Sequence, residues 1–147
     1  TVAKIYHESN RKVEGIALSC PGVIDAANGT IKVVVAYPYL QGICLTELIS
    51  KACDNIKVSL ENDAKCAGLA EAWIGSAQAY DDAIIVVLGT GIGGGISKQP
   101  LLIKLIKEAV EIIANETNQL LKPNVTTCKF YNEANLIGAL SYFLSIK

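Results

Sequence analysis

The chain has 147 residues, of which 51% are apolar, and 13 basic against 14 acidic side chains give a net charge of −1 at pH 7. This is enough apolar material to bury the core of one ordinary domain or of two small lobes. The absence of a basic excess argues against binding to a nucleic-acid backbone. The longest uncharged apolar stretches, such as 83–88, are far too short to span a bilayer, and the first residues do not resemble a secretory signal.

The first part of the chain predicts a short helix, a strand and a hairpin. Residues 1–10 carry apolar side chains at helical spacing. Residues 13–19 predict a buried strand that ends in a Cys-Pro-Gly turn. Asn28 and Gly29 separate residues 23–25 from residues 30–36, and an Asn-Gly pair supplies the positive φ angles that a tight turn needs. We therefore expect these two segments to pair as a hairpin.

The middle of the chain predicts two helices around a strand. Thr46 is the expected N-cap of a helix that runs to about Asp54. Residues 56–60 form the next predicted strand. An Ala- and Leu-rich helix follows from Asp63 to Ile74 and is stopped by Gly75.

The last part predicts two strands and two further helices. Residues 83–88 (AIIVVL) are apolar and rich in β-branched side chains, as in a strand that is covered on both faces. An apolar stripe predicts a long helix over 101–121, ended by Pro123. A short strand is expected at 125–128 and an amphipathic helix at 131–146. Alternating strands and helices predict an α/β fold, in which polar ligands bind beyond the carboxyl ends of the strands.

Five cysteines are scattered through the chain without C-x-x-C spacing, and His7 is the single histidine. An odd number of cysteines among apolar neighbours predicts reduced thiols in the core of a cytoplasmic protein. A lone histidine in a polar stretch cannot make a metal site by itself. We therefore expect His7 to be an ordinary surface residue and predict no metal site from these residues.

Asn62 and Asp63 lie where a predicted strand ends and a predicted helix begins. A hydroxyl is a poor nucleophile at neutral pH, and a carboxylate within hydrogen-bonding distance can accept its proton and aim its oxygen. Asp63 suits that role, with Asn62 holding a neighbouring sugar hydroxyl. The alternative is that one of the two residues only caps the helix, because Asp and Asn are preferred N-cap residues.

A second candidate site is the glycine loop from Gly89 to Gly95, which follows the predicted strand at 83–88. Its missing side chains let backbone N–H groups approach an anion closely, and Thr90 adds a hydroxyl donor. The loop lacks the Lys-Ser/Thr ending of a P-loop, and no helix follows promptly enough for a dinucleotide fingerprint. Phosphate binding is therefore predicted, with a tight hairpin as the alternative.

Several other polar or aromatic residues attract weaker functional hypotheses. Residues 19–22 could bring backbone close to a ligand, although a simple turn is the better explanation. Glu71 lies on the same predicted helix as Asp63 and is expected to be solvated or paired. Trp73, Tyr37 and Tyr39 have no sequence partners that mark them as stacking platforms.

Four segments together resemble the ROK family of bacterial sugar kinases and sugar-responsive repressors. They are GIALSCPGVID (15–25), LENDAKCAGLAEAW (60–73), VVLGTGIGGGI (86–96) and NEANLIGALSYFL (132–144). The resemblance implies an actin-like, ribonuclease-H-like ATPase fold with two lobes, of which residues 1–80 plus 131–147 would form the N-terminal lobe and residues 81–130 a remnant of the C-terminal lobe.

The resemblance also implies roles for individual residues. Asp63 would be the catalytic base, and Asn62 would bind the sugar with Gly22 nearby. Gly89, Thr90 and Gly91 would bind the phosphates of ATP, and Mg²⁺ would bind together with ATP. The resemblance further implies a cytoplasmic protein that commonly dimerises.

The chain departs from the family pattern in several places. The family's Asp-x-Gly-x-Thr phosphate loop, its Glu-x-Gly-His sugar motif and the cysteine-rich zinc site of many members are not found in the sequence. We therefore expect the chain to be a subset of a longer kinase, with a deletion-bearing relic as the alternative. An intact mass near 15.6 kDa would exclude a longer parent.

The expected activity is the transfer of the γ-phosphate of ATP to the 6-hydroxyl of a hexose or N-acetylhexosamine. A sugar-responsive transcriptional regulator and a catalytically inactive sugar-binding protein are the alternatives. The sequence does not identify the sugar.

Overall fold

The computed structural model of the chain describes residues 1–87, 100–116, 124–131 and 133–146. Within these ranges the chain forms five α-helices, four β-strands and one 3-10 turn, so the predicted α/β class is confirmed. In chain order the elements are α1 (Val2–Glu8), β1 (Ile16–Cys20), β2 (Val23–Asp25), β3 (Thr30–Val33), the 3-10 turn (Pro38–Leu40), α2 (Leu45–Ala52), β4 (Val58–Asn62), α3 (Asp63–Ile74), α4 (Pro100–Glu116) and α5 (Ala134–Ser145).

Strands β1 and β4 pair in parallel and in continuous register. Ile16 lies opposite Val58 at one end of the pair, and Cys20 lies opposite Asn62 at the other. Because the strands are parallel, their carboxyl ends reach the same edge of the sheet. The turn that follows β1 and the start of α3, which follows β4 directly, are thereby brought together.

The hairpin of β2 and β3 packs over one face of this sheet. Its strands are antiparallel, as predicted, with an irregularity in register between Val23 and Ile24. Ile31, Val34 and Leu60 are almost completely buried and form a core between the hairpin and β4. The partly buried side chains around them are Leu18, Cys20, Ile24, Leu40 and Leu45. Apolar burial of this kind is the main stabilising term for such a small unit.

Helix α5 packs against α3 and also contacts β1 and β4. Small residues make the close approach to α3 feasible: Ala67, Ala70 and Ala134 are buried at the contact. A Cβ atom at Gly138 would overlap the backbone carbonyl of Cys66. Glycine is therefore required at position 138 to bring the two helices this close.

The two predicted strands at 83–88 and 125–128 are wrong over the residues that the structure describes. Neither residues 83–87 nor residues 125–128 form a strand. Ile84 is 95% exposed, whereas the sequence predicted a strand covered on both faces. A strand requires a hydrogen-bonded neighbour, and neither segment pairs with another described strand. Apolar, β-branched composition favours a strand but does not supply its partner.

The start of α2 differs from the sequence prediction. The helix begins at Leu45, so Thr46 lies inside it, and the predicted cap at Thr46 is wrong. Cys44 holds the N-cap position without a side-chain capping bond, although its Sγ lies 3.6 Å from the hydroxyl oxygen of Thr46. The backbone carbonyl of Gly29 instead accepts hydrogen bonds from the N–H groups of Leu45 and Thr46, at 2.9 and 3.4 Å. A carbonyl from the hairpin turn thus satisfies the free donors of the first turn.

The remaining helices agree with prediction in place and differ in detail. Helices α1, α3 and α5 form where expected, with ends that shift by up to three residues. The long predicted helix is formed over Pro100–Glu116, and its predicted continuation to 121 lies outside the described residues. Its apolar stripe is not buried, since Leu105, Ile112 and Ile113 are each more than half exposed.

Candidate functional site

The turn after β1 meets the start of α3 at the carboxyl edge of the sheet. The side-chain Nδ2 of Asn62 donates a hydrogen bond of 2.8 Å to the backbone carbonyl of Gly22. Gly22 has a φ of +102°, and a Cβ atom there would overlap the carbonyl oxygen of Val33. Only glycine adopts this conformation readily, so the turn and the hairpin together fix the carbonyl that Asn62 contacts.

Asn62 is the N-cap of α3. Its Oδ1 accepts a hydrogen bond of 3.1 Å from the backbone N–H of Lys65, and its Nδ2 donates to Gly22 and to Oδ1 of Asp63, the latter at 3.0 Å. Both hydrogens of the amide are thereby engaged. The capping alternative is therefore correct for Asn62, which also joins the β1 turn to the Asp63 carboxylate.

Asp63 is the first residue of α3 and is partly exposed. Its Oδ1 accepts hydrogen bonds from the backbone N–H of Ala64, at 2.9 Å, and from Asn62. Its Oδ2 accepts none from any residue that the structure describes. The helix N-terminus favours the negative charge at this position. Asp63 therefore presents an oriented carboxylate with one oxygen available to a ligand.

Glu61 supports the same junction from the buried side of β4. Its residue surface is only 6% exposed. One carboxylate oxygen accepts a hydrogen bond of 2.7 Å from the backbone N–H of Asn62 and lies 3.5 Å from Nζ of Lys65. Burial, and then the charge of Glu61, raises the pKa of Tyr142. Sequence reasoning missed Glu61, although a charged residue next to the buried Leu60 was a usable signal.

The face of the sheet that carries Glu61 also carries two buried hydroxyl groups. Oγ of Ser19 and Oγ of Ser59 have no hydrogen-bond partner among the described residues. Side chains alternate across a strand, so these serines lie on the face opposite Leu18 and Leu60. This face is more polar than the one that packs against the hairpin.

All five cysteines are free thiols, as predicted. Cys20 and Cys66 lie closest to the candidate site. Burial, and then the negative charge of Asp63, raises the pKa of the Cys20 thiol. Burial also raises the pKa of the Cys66 thiol. Both side chains are therefore protonated at neutral pH and are poor nucleophiles.

The remaining residues singled out in the sequence are either outside the described residues or away from this junction. Gly89, Thr90 and Gly91, the predicted phosphate-binding residues, lie outside the described residues. His7 is on the surface, as predicted, and its Nε2 lies 3.0 Å from the carbonyl oxygen of Ala52. The exposed rings of Tyr37 and Tyr39 contact each other edge to face, with centroids 6.1 Å apart.

Glu71 was expected to be either solvated or paired, and the second alternative is correct. Its carboxylate is buried and paired with backbone N–H groups. It is 1% exposed, and its carboxylate accepts three hydrogen bonds from backbone N–H groups. Burial by itself would raise the pKa of this carboxyl, but the N–H groups of Phe130, Ser76 and Lys129 outweigh it and hold the pKa below its usual range. Glu71 is therefore an ionised residue within the fold.

Two kinds of site are not found in the described part of the chain. No three His, Cys, Asp or Glu side chains gather there in a way that could hold a metal ion. None of the helices described is both long enough and apolar enough to cross a membrane.

Comparison with known sequences gives a consistent family. The sequence model of the ROK family matches residues 1–99. A beta-glucoside kinase of Listeria innocua serovar 6a is 39% identical over 101 residues, which are 69% of this chain and 34% of that protein. The glucokinase of Thermotoga maritima is 37% identical over 81 residues, covering 55% of this chain and 25% of that protein. The chain thus spans about a third or less of the length of these curated relatives.

Two solved structures match almost the whole chain in shape. The Lmo2764 protein from Listeria monocytogenes gives a TM-score of 0.71 at 18% identity, over 96% of this chain and 84% of that chain. A ROK family protein from Streptococcus pneumoniae TIGR4, in complex with sucrose, gives a TM-score of 0.71 at 19% identity, over 97% of this chain and 84% of that chain. These matches confirm the expected actin-like ATPase fold.

Proposed function

Because this chain belongs to the ROK family, we propose that it forms part of a kinase that transfers the γ-phosphoryl group of ATP to the 6-hydroxyl of a hexose or an N-acetylhexosamine. The names of its curated relatives support this class: beta-glucoside kinase, glucokinase and, at 37% identity over 100 residues, the N-acetyl-D-glucosamine kinase of Vibrio cholerae. The observation that carries the proposal is that Oδ2 of Asp63, at the carboxyl edge of the sheet, accepts no hydrogen bond from the described residues.

Asp63 acts as the general base in this proposal. Its Oδ2 accepts the proton of the sugar hydroxyl while the phosphoryl group arrives, and the sugar oxygen is held in line for attack. The hydrogen bonds from Asn62 and Ala64 to Oδ1 fix the direction in which Oδ2 points. Such prior orientation lowers the entropic cost of reaching the transition state.

Asn62 and Gly22 form the sugar-binding wall. A carbonyl oxygen has two lone pairs, and the cap to Lys65 uses one of those on Oδ1 of Asn62, so the second can accept a bond from a sugar hydroxyl. Gly22 contributes the backbone carbonyl that Asn62 holds, and the carbonyl of Val33 fills the space where a side chain at Gly22 would lie. The bonds among these residues make the wall rigid before a substrate binds.

Gly89, Thr90 and Gly91 would bind the ATP phosphates through backbone N–H groups and the threonine hydroxyl. Mg²⁺ neutralises charge on the transferred phosphate, and its usual partners are substrate phosphates with one or two carboxylates. No cluster of candidate ligands for it exists among the described residues, so we assign it no protein ligand. The same holds for zinc.

The larger arrangement is also a proposal. Residues 1–80 with 131–147 would form the sugar-binding lobe, and residues 81–130 would belong to the nucleotide-binding lobe. The packing of α5 on α3 and β1 supports the inclusion of the last helix in the first lobe. We further propose that the protein is cytoplasmic and dimerises.

A coupled assay of ATP consumption with a panel of hexoses, N-acetylhexosamines and β-glucosides tests the proposal. Turnover with at least one of these sugars supports a kinase. Sugar binding without turnover would instead identify an inactive sugar-binding protein. Sugar-dependent binding to operator DNA, again without turnover, would identify a regulator.

A further inference from the structure

The carboxylate of Glu71 joins three separate backbone groups at the end of α3. One oxygen accepts a hydrogen bond of 2.8 Å from the N–H of Phe130. The other accepts hydrogen bonds from the N–H groups of Ser76, at 2.7 Å, and Lys129, at 3.0 Å. Ser76 lies just after α3, whereas Lys129 and Phe130 precede α5. A single side chain therefore binds the chain where it leaves α3 and where it returns to α5.

The two segments that Glu71 joins run side by side for several residues. We call residues 74–80 and 124–130 the paired connections. Oγ of Ser76 donates a hydrogen bond of 3.0 Å to the carbonyl of Thr127, and Nζ of Lys129 donates one of 2.9 Å to the carbonyl of Ile74. Farther out, Nδ2 of Asn124 donates one of 2.8 Å to the hydroxyl of Tyr80.

The position of the paired connections links them to the reaction site. Residues 81–123 are covalently joined to the rest of the chain through these two segments. Asp63 begins α3 and Glu71 lies eight residues later, a rise of about 12 Å along the helix axis. Helix α3 therefore carries the base at one end and holds the paired connections at the other.

We propose that Glu71 is a positioning residue for phosphoryl transfer, because its carboxylate fixes the two connections that join residues 81–123 to the part of the chain that carries Asp63. This inference rests on the proposed kinase function. It assigns Glu71 no contact with sugar or nucleotide. Its effect passes through the backbone of the two connections.

Glutamine cannot replace Glu71 in this role. A carboxylate offers two acceptor oxygens, whereas a carboxamide offers one oxygen and one NH₂ donor. Because both oxygens of Glu71 accept backbone N–H groups, the NH₂ group introduced by Glu71→Gln would face at least one other donor. Aspartate keeps the charge but is one methylene shorter. Ser76→Ala is a matched control, since it removes the hydroxyl bond to Thr127 and a smaller contribution of that hydroxyl to the Glu71 carboxyl, but keeps all three backbone N–H bonds to the carboxylate.

Amide hydrogen exchange measured by NMR on the whole chain tests whether Glu71 fixes the paired connections. In Glu71→Gln we expect the amides of Ser76, Lys129 and Phe130 to exchange at least tenfold faster than in the wild type, while amides of β1 and β4 keep their protection. Ser76→Ala should leave the amides of Lys129 and Phe130 within threefold of wild type. Unchanged exchange of all three amides in Glu71→Gln would overturn the inference.

Turnover and sugar affinity then separate positioning from general damage. We expect kcat to fall at least tenfold in Glu71→Gln. The Kd for sugar should change less than twofold, because the sugar-binding wall lies at the other end of α3. Glu71→Asp should give a kcat between those of Glu71→Gln and the wild type, and it replaces the Gln variant if that variant does not fold. Wild-type kcat despite lost protection, or a loss of sugar affinity equal to the loss of kcat, would overturn the positioning role alone. A complete wild-type protein, of which this chain is a part, without turnover on any sugar would overturn it together with the proposed function.

Discussion

Asn62 donates a hydrogen bond of 3.0 Å from its side-chain amide to Oδ1 of Asp63, while the same amide nitrogen holds the carbonyl of Gly22 at 2.8 Å. The turn after β1 and the carboxylate at the start of α3 are thereby linked through one side chain. A change at Asn62 is expected to alter the direction of the Asp63 carboxylate, and not only the stability of the helix. This separation of effects can be measured.

Asp63→Asn is expected to reduce kcat of the kinase at least a hundredfold, because the amide cannot accept the hydroxyl proton as a base does. The Kd for sugar should change little, since the shape and most hydrogen bonds of the site are retained. Steady-state kinetics with ATP and isothermal titration with sugar measure the two quantities. A variant with the kcat of the wild type would reject Asp63 as the base.

Asn62→Asp and Asn62→Ala should behave differently. Aspartate is as good an N-cap as asparagine, so Asn62→Asp should retain most of the helix stability, whereas Asn62→Ala should lower the free energy of unfolding by about 0.5–2 kcal/mol. Both variants lose the donor to Asp63 and should lose turnover. Urea unfolding measures the first effect and kinetics the second. Full activity in Asn62→Asp would show that the bond to Asp63 is dispensable.

Protonation of the Glu71 carboxyl should lower the free energy of unfolding in acid. Its folded pKa lies below the value it takes in the unfolded chain, so the unfolded state binds the proton more readily, and stability rises with pH in that range. The contribution is complete above the usual carboxyl range, from about pH 5 upward, and is lost as the pH falls through the folded pKa. Urea unfolding across this range should show a weaker pH dependence in Glu71→Gln than in the wild type.

The neighbours of Glu71 do not produce the same acid dependence. Cys128 is a protonated thiol, because burial and then the charge of Glu71 raise its pKa. Nζ of Lys129 donates a hydrogen bond to the carbonyl of Ile74 and does not contact the Glu71 carboxylate in the described structure. An acid transition of equal size in Glu71→Gln and the wild type would assign it to other carboxyl groups.

Gly138→Ala is expected to destabilise the chain by about 1–3 kcal/mol, because the added methyl group would overlap the carbonyl of Cys66 and force α5 away from α3. Gly68→Ala is a matched control within α3, since a Cβ there would meet only ordinary contacts with Ile85. It should leave the stability unchanged or raise it, because alanine favours a helix more than glycine does. Thermal unfolding of the two variants measures the difference. Equal stability would contradict the close contact between the two helices.

Local sequence predicted the elements that depend on neighbours along the chain. The Asn28-Gly29 pair predicted the hairpin, although of the two only Gly29 adopts a positive φ, at +62°. Asn62 and Asp63 marked the start of α3 to the residue. Turn chemistry, capping and hydrophobic periodicity all act over a few residues, so they can be recognised without knowing the fold. The resemblance carried by four short segments predicted the family.

The prediction failed where the outcome depends on distant partners. Residues 83–87 have the composition of a buried strand, yet they pair with no other described strand. Thr46 resembles a cap, but the carbonyl of Gly29 takes that role. Glu71 looks like a surface charge on α3, and it is the backbone near residue 130 that makes it a buried acceptor.

The sequence by itself determined the α/β pattern, the hairpin, the junction of Asn62 with Asp63, and the ROK family. Tertiary structure alone decided that Asn62 reaches Gly22 and orients Asp63, and that Glu71 holds the paired connections. The physical reason is the distance along the chain over which each kind of interaction acts. Backbone propensity and capping act between residues close in sequence, whereas the partner of a buried amide or carboxylate is fixed only when segments 40 to 59 residues apart pack together.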